Sequence, residues 1–214
     1  MSLLDLLVEN EETTALLGRI PGVVVGVVTN NQDPDGLGRV KVKFPWLSDE
    51  EESFWARVAA PMAGKGRGFF FLPEVDDEVL VAFEQGDARF PYVLGGLWNG
   101  QAKPTEPNAD GKNNVRSIRS RSGHVIRLDD TDGKEKIEII DKSGNKIVLD
   151  VEGNKITVTS QKDIVLSAAS GTIKLDAQKI EIKSSADTKI ESGAGMDVKA
   201  TGAMNIKGAT VNIN

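Results

Sequence analysis

Between Pro21 and Trp98 the chain is a succession of short apolar runs, VVVGVVTN, RVKVKFPW, FWARVAAP, FFFLPEV, DEVLVAFE and PYVLGGLW. The breaks between them, NNQDPDGLG, AGKGRG and EQGDARFP, carry turn chemistry. Runs rich in Val and Phe bounded by Gly, Pro, Asn and Asp read as strands rather than helices. In one run Val40, Val42 and Phe44 alternate with Arg39, Lys41 and Lys43. That spacing puts the apolar side chains on one face and the cations on the other, as in a half-buried strand. Several strands this short, with no long helical period, predict a small β-barrel that closes to hide its edges, spanning residues 19–100.

A different pattern begins after Gly133. An apolar-x-apolar unit recurs as Ile137/Ile139, Ile147/Leu149, Ile156/Val158, Ile164/Leu166, Ile173/Leu175, Ile180/Ile182, Thr188/Ile190, Met196/Val198, Met204/Ile206 and Val211/Ile213. Successive units are 7 to 10 residues apart, separated by Gly, Ser, Asn, Lys and Asp. Ordering one residue costs about 1–2 kcal/mol of backbone entropy, which two inward side chains per unit cannot offset in an isolated ribbon. The economical solution is three chains wound about one axis as a triangular prism, with the apolar pairs inward and no free lateral edges. Stacked at about 4.8 Å per strand, the repeats predict a shaft on the order of 45–50 Å long. A single-chain solenoid and a disordered linker are the competing readings, and the strict β-branched pairing weighs against disorder.

Composition divides the chain at the same place. Every aromatic residue lies between Phe44 and Trp98, and every proline between Pro21 and Pro107. From Lys134 on there are twelve Lys against eleven Asp and Glu, a mixed-charge exterior suited to a solvated shaft. The net charge of -6 argues against binding nucleic acid or anionic lipid, which needs clustered cations. The absence of cysteine excludes disulfides and thiolate metal sites. The opening MSLLDLLVENEETTALLGRI has neither a basic start nor a long apolar core, so a cytosolic protein without a secretory signal is expected. Its leucines Leu3, Leu4, Leu6 and Leu7, with Leu16 and Leu17, suit either an arm that docks on a partner or a partly ordered terminus.

Candidate catalytic chemistry is thin. GKGRG at 64–68 lacks the ending and context of a phosphate loop, and DPDG at 33–36 lacks the remaining ligands of a calcium loop, so both read as turns. His124 is the lone histidine, which leaves Ser-His or Cys-His catalysis without support. The carboxylates Asp49, Glu50, Glu51, Glu52, Asp129 and Asp130 sit in polar runs without the apolar surroundings that raise a pKa. No enzyme activity, cofactor or metal site is expected.

The segments DPDGLGRVKVKFPW at 33–46, FWARVAAPMAGKGRGFFFLPEVDDEVLVAFEQGD at 54–87, PYVLGGLWN at 91–99 and RSGHVIRLDDTDGKEKIEIIDKSGN at 121–145 resemble the spike family of contractile injection systems. That family includes the VgrG proteins and the baseplate spikes of contractile phages. The resemblance implies an all-β fold, an OB-type barrel followed by an intertwined trimeric β-helix. It divides the chain into an arm at 1–18, the barrel at 19–100, a neck at 101–133 and the shaft at 134–214.

The paired residues of the repeat, from Ile137 to Ile213, then form the shaft core. The resemblance further implies a structural spike made in the cytoplasm, assembled into a baseplate and delivered to a target envelope. A separate hub protein would meet Leu3, Leu4, Leu6 and Leu7, and a PAAR-repeat tip protein would cap Val211, Asn212, Ile213 and Asn214. Inner tube and baseplate proteins and, transiently, the target membrane would be its other neighbours. Neither a lysozyme-like insertion nor a histidine-bound metal tip is expected. Two other readings stand beside this one: a nucleic-acid-binding barrel with a trimerising tail, and a phage tail protein that binds or hydrolyses carbohydrate.

Overall fold

The computed structural model describes residues 19–212, with side chains for all of these except 48–50. The described residues are all-β apart from one 3-10 turn, as the apolar patterning predicts. The chain divides into two compact units, one up to Gln161 and one from Lys162.

The first unit opens with β1 (Val23–Asn30), β2 (Lys41–Phe44), β3 (Ser48–Glu52) and β4 (Arg57–Val58). A small hairpin of β5 (Ala63–Gly64) and β6 (Arg67–Gly68) follows, then β7 (Glu78–Phe83) and β8 (Pro91–Gly96). The larger strands form one sheet in the order β3-β2-β1-β7-β8-β4. Its two sides meet where Val40 and Ala56 exchange backbone hydrogen bonds of 3.0 and 2.7 Å, just ahead of β2 and β4. The curl therefore turns a flat sheet into a barrel and pairs edge groups that would otherwise face water.

Alternation decides what fills the barrel. Val40, Val42 and Phe44 point inward with Val28, Ala56, Val79, Val81, Phe83 and Val93, all buried. Gly26, in the middle of β1, leaves room for the Phe44 ring, which lies 3.2 Å from where a Cβ would stand. Phe44 in turn packs on Phe83, with ring centroids 5.6 Å apart. The two loops read as turns are turns. Asp33–Gly36 connects β1 to β2, closed by Gly36 N–H donating to the Asp33 carbonyl at 3.1 Å, and residues 64–68 make the β5–β6 hairpin.

A second sheet of the same unit is an antiparallel meander of β9 (Val115–Arg119), β10 (Val125–Asp129), β11 (Lys136–Ile140), β12 (Lys146–Asp150) and β13 (Lys155–Thr159). The position expected to divide neck from shaft, 133/134, falls in the β10–β11 turn, so one hydrogen-bonded sheet carries residues from both sides of it. The second unit is different in kind. Residues 162–212 are extended, form no strand pairs within the chain and are exposed throughout.

Candidate interaction surfaces

Register in the meander sorts its side chains by chemistry. Ile126 faces Ile118 on one side and Ile139 on the other, Leu128 faces Ile137, Ile137 faces Leu149 and Ile139 faces Ile147. Ile147 and Leu149 then face Val158 and Ile156. With a side-chain period of two, these nine residues occupy one face of the sheet. They remain 38 to 71 % exposed. Cross-strand contact alone leaves much of each side chain in water, at about 25 cal/mol per Å² of apolar surface.

The opposite face is mixed, carrying Val125, Ile140 and Val148 beside Arg127, Lys136 and Glu138, and it is the more covered one, with Val125 7 % exposed. The Arg127 guanidinium donates to Glu106 at 2.9 Å and lies 3.8 Å from Glu138, which Lys136 approaches at 3.3 Å. Glu138 is 9 % exposed. Residue 106, from the segment ahead of β9, thus ties the neck to this face. A charge this enclosed is tolerated because two cations compensate it.

In the second unit the same alternation appears without any partner strand. Ile173 and Leu175 alternate with Lys174 and Asp176, which pair with each other at 3.1 Å, and Lys189 pairs likewise with Glu191 at 2.6 Å around Ile190. Residues two apart in an extended chain share a side, so the ion pairs take one edge and leave the apolar pairs on the other. Lys179 and Glu181 pair in the same way beside Ile180 and Ile182.

The expected shaft residues divide accordingly. Ile137, Ile139, Ile147, Leu149, Ile156 and Val158 are together on the meander face. Ile164, Leu166, Ile173, Leu175, Ile180, Ile182, Met196, Val198, Met204, Ile206 and Val211 lie along the ribbon, and all are exposed. Within one chain they are not a core: Leu166, Val198 and Ile206 are 71, 69 and 64 % exposed. The physical reason is that an extended ribbon with no strand paired to it has nothing of its own to lay over a side chain two residues from the next apolar one.

Ile118, Ile126 and Leu128 were missed. Ile126/Leu128 has the same apolar-x-apolar form and stands only eleven residues before Ile137/Ile139, a signal the step length could have revealed. Val211 and Asn212 are exposed, whereas Ile213 and Asn214 lie outside the described residues, as do Leu3, Leu4, Leu6 and Leu7.

Of the carboxylates considered for catalysis, Asp129 and Glu52 are held ionised. A hydrogen bond from the Thr131 hydroxyl lowers the pKa of Asp129, the Lys41 ammonium lowers that of Glu52, and Asp130 pairs with Arg116 at 2.5 Å. Neither the Asp129 nor the Glu52 environment makes a neutral acid. His124 is exposed in the β9–β10 turn, its Nδ1 accepting from the Lys142 N–H at 3.4 Å. Among the described residues no group of three or more His, Asp or Glu is placed to hold a metal, and no helix is long and apolar enough to cross a membrane.

Residues 24–98, the barrel itself, match the family described as the type VI secretion system/phage-baseplate injector OB domain. The chain is thus similar to VgrG spike proteins, its barrel matching the injector OB domain. It is 35 % identical over 128 residues to the type VI secretion system spike protein VgrG1a of Pseudomonas aeruginosa, covering 55 % of this chain and 20 % of that protein. It is 35 % identical over 131 residues to VgrG4b of the same organism, covering 57 % and 16 %. With VgrG3 of Vibrio cholerae the identity is 30 % over 139 residues, covering 61 % of this chain and 13 % of the relative. The match thus spans about a fifth or less of the length of these spike proteins. It reaches beyond what the injector OB domain alone supplies, since the aligned lengths exceed the domain.

Proposed function

We propose that the chain is a structural, non-catalytic spike component of a contractile injection machine, either a phage tail-like particle or a type VI-like system, and that it works as a homotrimer. Its likeness to named spike proteins supports the machine. The observation that carries the trimer is the uncovered apolar face of β9–β13, continued in kind by the ribbon's apolar positions. A sheet that encloses its charges and exposes its isoleucines is completed when further copies of the same face meet it about a common axis. In the ribbon, strand pairing with other chains would satisfy backbone groups that find no partner within one chain, and would cover Leu166, Val198 and Ile206.

In this arrangement the injector OB domain joins the tube end to a stiff shaft. Sheath contraction would drive the shaft forward, and resistance to bending is the property that matters. Interwoven chains give it, because no strand can yield without breaking bonds to its neighbours. A hub protein would meet the barrel end through Leu3, Leu4, Leu6 and Leu7. A PAAR-repeat tip protein would cover the strand edges at Val211, Asn212, Ile213 and Asn214. The chain would be made in the cytoplasm, built into the baseplate and carried to the target envelope, where it touches the membrane transiently.

The test is the mass in solution by light scattering. Three chains of 23.0 kDa give about 69 kDa for the full chain. A chain carrying Ile126→Asp and Ile147→Asp is expected to fall to the monomer mass. A folded full-length monomer would sink the trimer.

A further inference from the structure

On the injector OB domain, away from the meander, lies a cleft of about 680 Å³ whose walls include Leu37, Phe54 and Phe90. These three side chains are 69, 61 and 53 % exposed, so the cleft presents apolar surface to solvent. Its remaining charged lining is entirely cationic: Arg39, Arg57 and Arg89. Each guanidinium lies over an aromatic ring, Arg39 over Trp55 at 5.8 Å, Arg57 over Tyr92 at 5.5 Å and Arg89 over Phe90 at 5.7 Å. Arg39 and Arg89 also pair with Asp33, Asp35 and Asp87, whereas among the described residues Arg57 pairs with no carboxylate.

The chain enters the barrel at the rim of this cleft. Arg19 bridges Asp87, and Ile20 N–H donates to the Gly86 carbonyl at 2.8 Å. Asp87 in turn holds the Arg89 guanidinium, with Nη2 to Oδ2 at 2.6 Å, over Phe90. Gly86 has φ +80°, and a Cβ there would lie 3.1 Å from the Arg19 Cβ, so the approach of residue 19 depends on glycine. The first described residue, Arg19, therefore stands beside a cleft wall.

Residues 1–18 complement the cleft. They carry Leu3, Leu4, Leu6, Leu7, Leu16 and Leu17 together with Asp5, Glu9, Glu11 and Glu12, and no Lys or Arg. From Gly18 back to Leu7 is eleven residues, up to about 36 Å of extended chain, enough to cross the cleft. We propose that residues 1–18 dock in the cationic aromatic cleft of their own injector OB domain. Leucines fill the gap between Leu37, Phe54 and Phe90, and the carboxylates meet the arginine rim, where Arg57 is left for them. A charged group on an aromatic-lined rim favours register over raw affinity. This docking does not depend on the number of copies. A hub that binds the same leucines must compete with the cleft for them.

The chain contains no cysteine, so an introduced pair reports proximity without background. The full-length chain carrying Leu7→Cys and Ala63→Cys, the latter position lining the cleft, is compared under mild oxidation with one carrying Leu7→Cys and Lys112→Cys. The cleft pair is expected to form its disulfide within one chain at least tenfold faster. Adding Arg57→Glu should slow it at least threefold, and adding Glu11→Lys and Glu12→Lys to that chain should restore the rate. Equal rates at the two positions, no effect of Arg57→Glu, or disulfides solely between chains would overturn the proposal.

Discussion

In β11, Glu138 is 9 % exposed while the next residue, Ile139, is 48 % exposed. The two side chains point to opposite faces of one sheet, and the charge lies on the more covered face, beside Val125. For a lone sheet this is the reverse of the usual order, in which apolar atoms leave water first. In the proposed trimer the isoleucine face is covered by the other chains.

Replacement of Ile139 by Asp should therefore abolish association. The substitution enters once per chain and three times in a trimer, and truncating a buried Ile costs about 2–5 kcal/mol per site. Light scattering is expected to show monomer at micromolar concentration. Val148→Thr, on the opposite face, should leave the mass unchanged.

Arg127 donates to Glu106 at 2.9 Å and lies 3.8 Å from the enclosed carboxylate of Glu138. Arg127→Met is expected to destabilise the meander by about 1–3 kcal/mol, the cost of leaving polar groups unpaired. Urea unfolding measures it. Lys136→Met, which removes a more exposed cation, should have a smaller effect.

Gly86→Ala places a side chain at φ +80° and against the Arg19 Cβ and the Ile20 carbonyl. A loss of about 1–3 kcal/mol follows from the strained backbone. Hydrogen exchange should show the Ile20 amide, bonded to the Gly86 carbonyl, losing protection before the barrel strands do.

Acid should weaken the barrel through two turn aspartates. The hydrogen-bonded Arg39 guanidinium holds Asp33 well below the usual carboxylate range, and Arg89 holds Asp87 at about 2. A folded-state pKa below the unfolded value of about 3.9 gives stability that is complete above that value and lost as pH falls toward the folded one. Asp33→Asn should be less stable than the parent at pH 7, and its melting temperature should fall less between pH 5 and pH 2. Parallel curves for the two chains would rule out this role for Asp33.

Much of this was legible in the sequence because it rests on period and local chemistry. Val40, Val42 and Phe44 announce a buried strand face by alternation, and the Gly-rich breaks announce turns whatever surrounds them. The repeat of paired apolar residues likewise marked every position now found on the meander face from β11 to β13, and along the ribbon. What it could not mark is burial: Leu166, Val198 and Ile206 have the same pattern as Ile137 and Leu149, yet no strand of their own chain lies beside them. Ile118, Ile126 and Leu128 escaped because they precede the regular steps and share their strands with arginines, so their membership depends on register with β11.

By itself, then, the sequence determined the all-β character, the break between an aromatic-rich barrel and a repetitive tail, and which side chains alternate in each. Only the tertiary structure decided that Val40 meets Ala56 to close the barrel, that β9 and β10 join β11–β13 in one sheet, and that Arg19 enters beside Arg89 and Phe90. The reason is physical. Periodicity is a property of neighbours along the chain, whereas pairing depends on contacts between residues tens of positions apart, where the same local pattern is compatible with several registers.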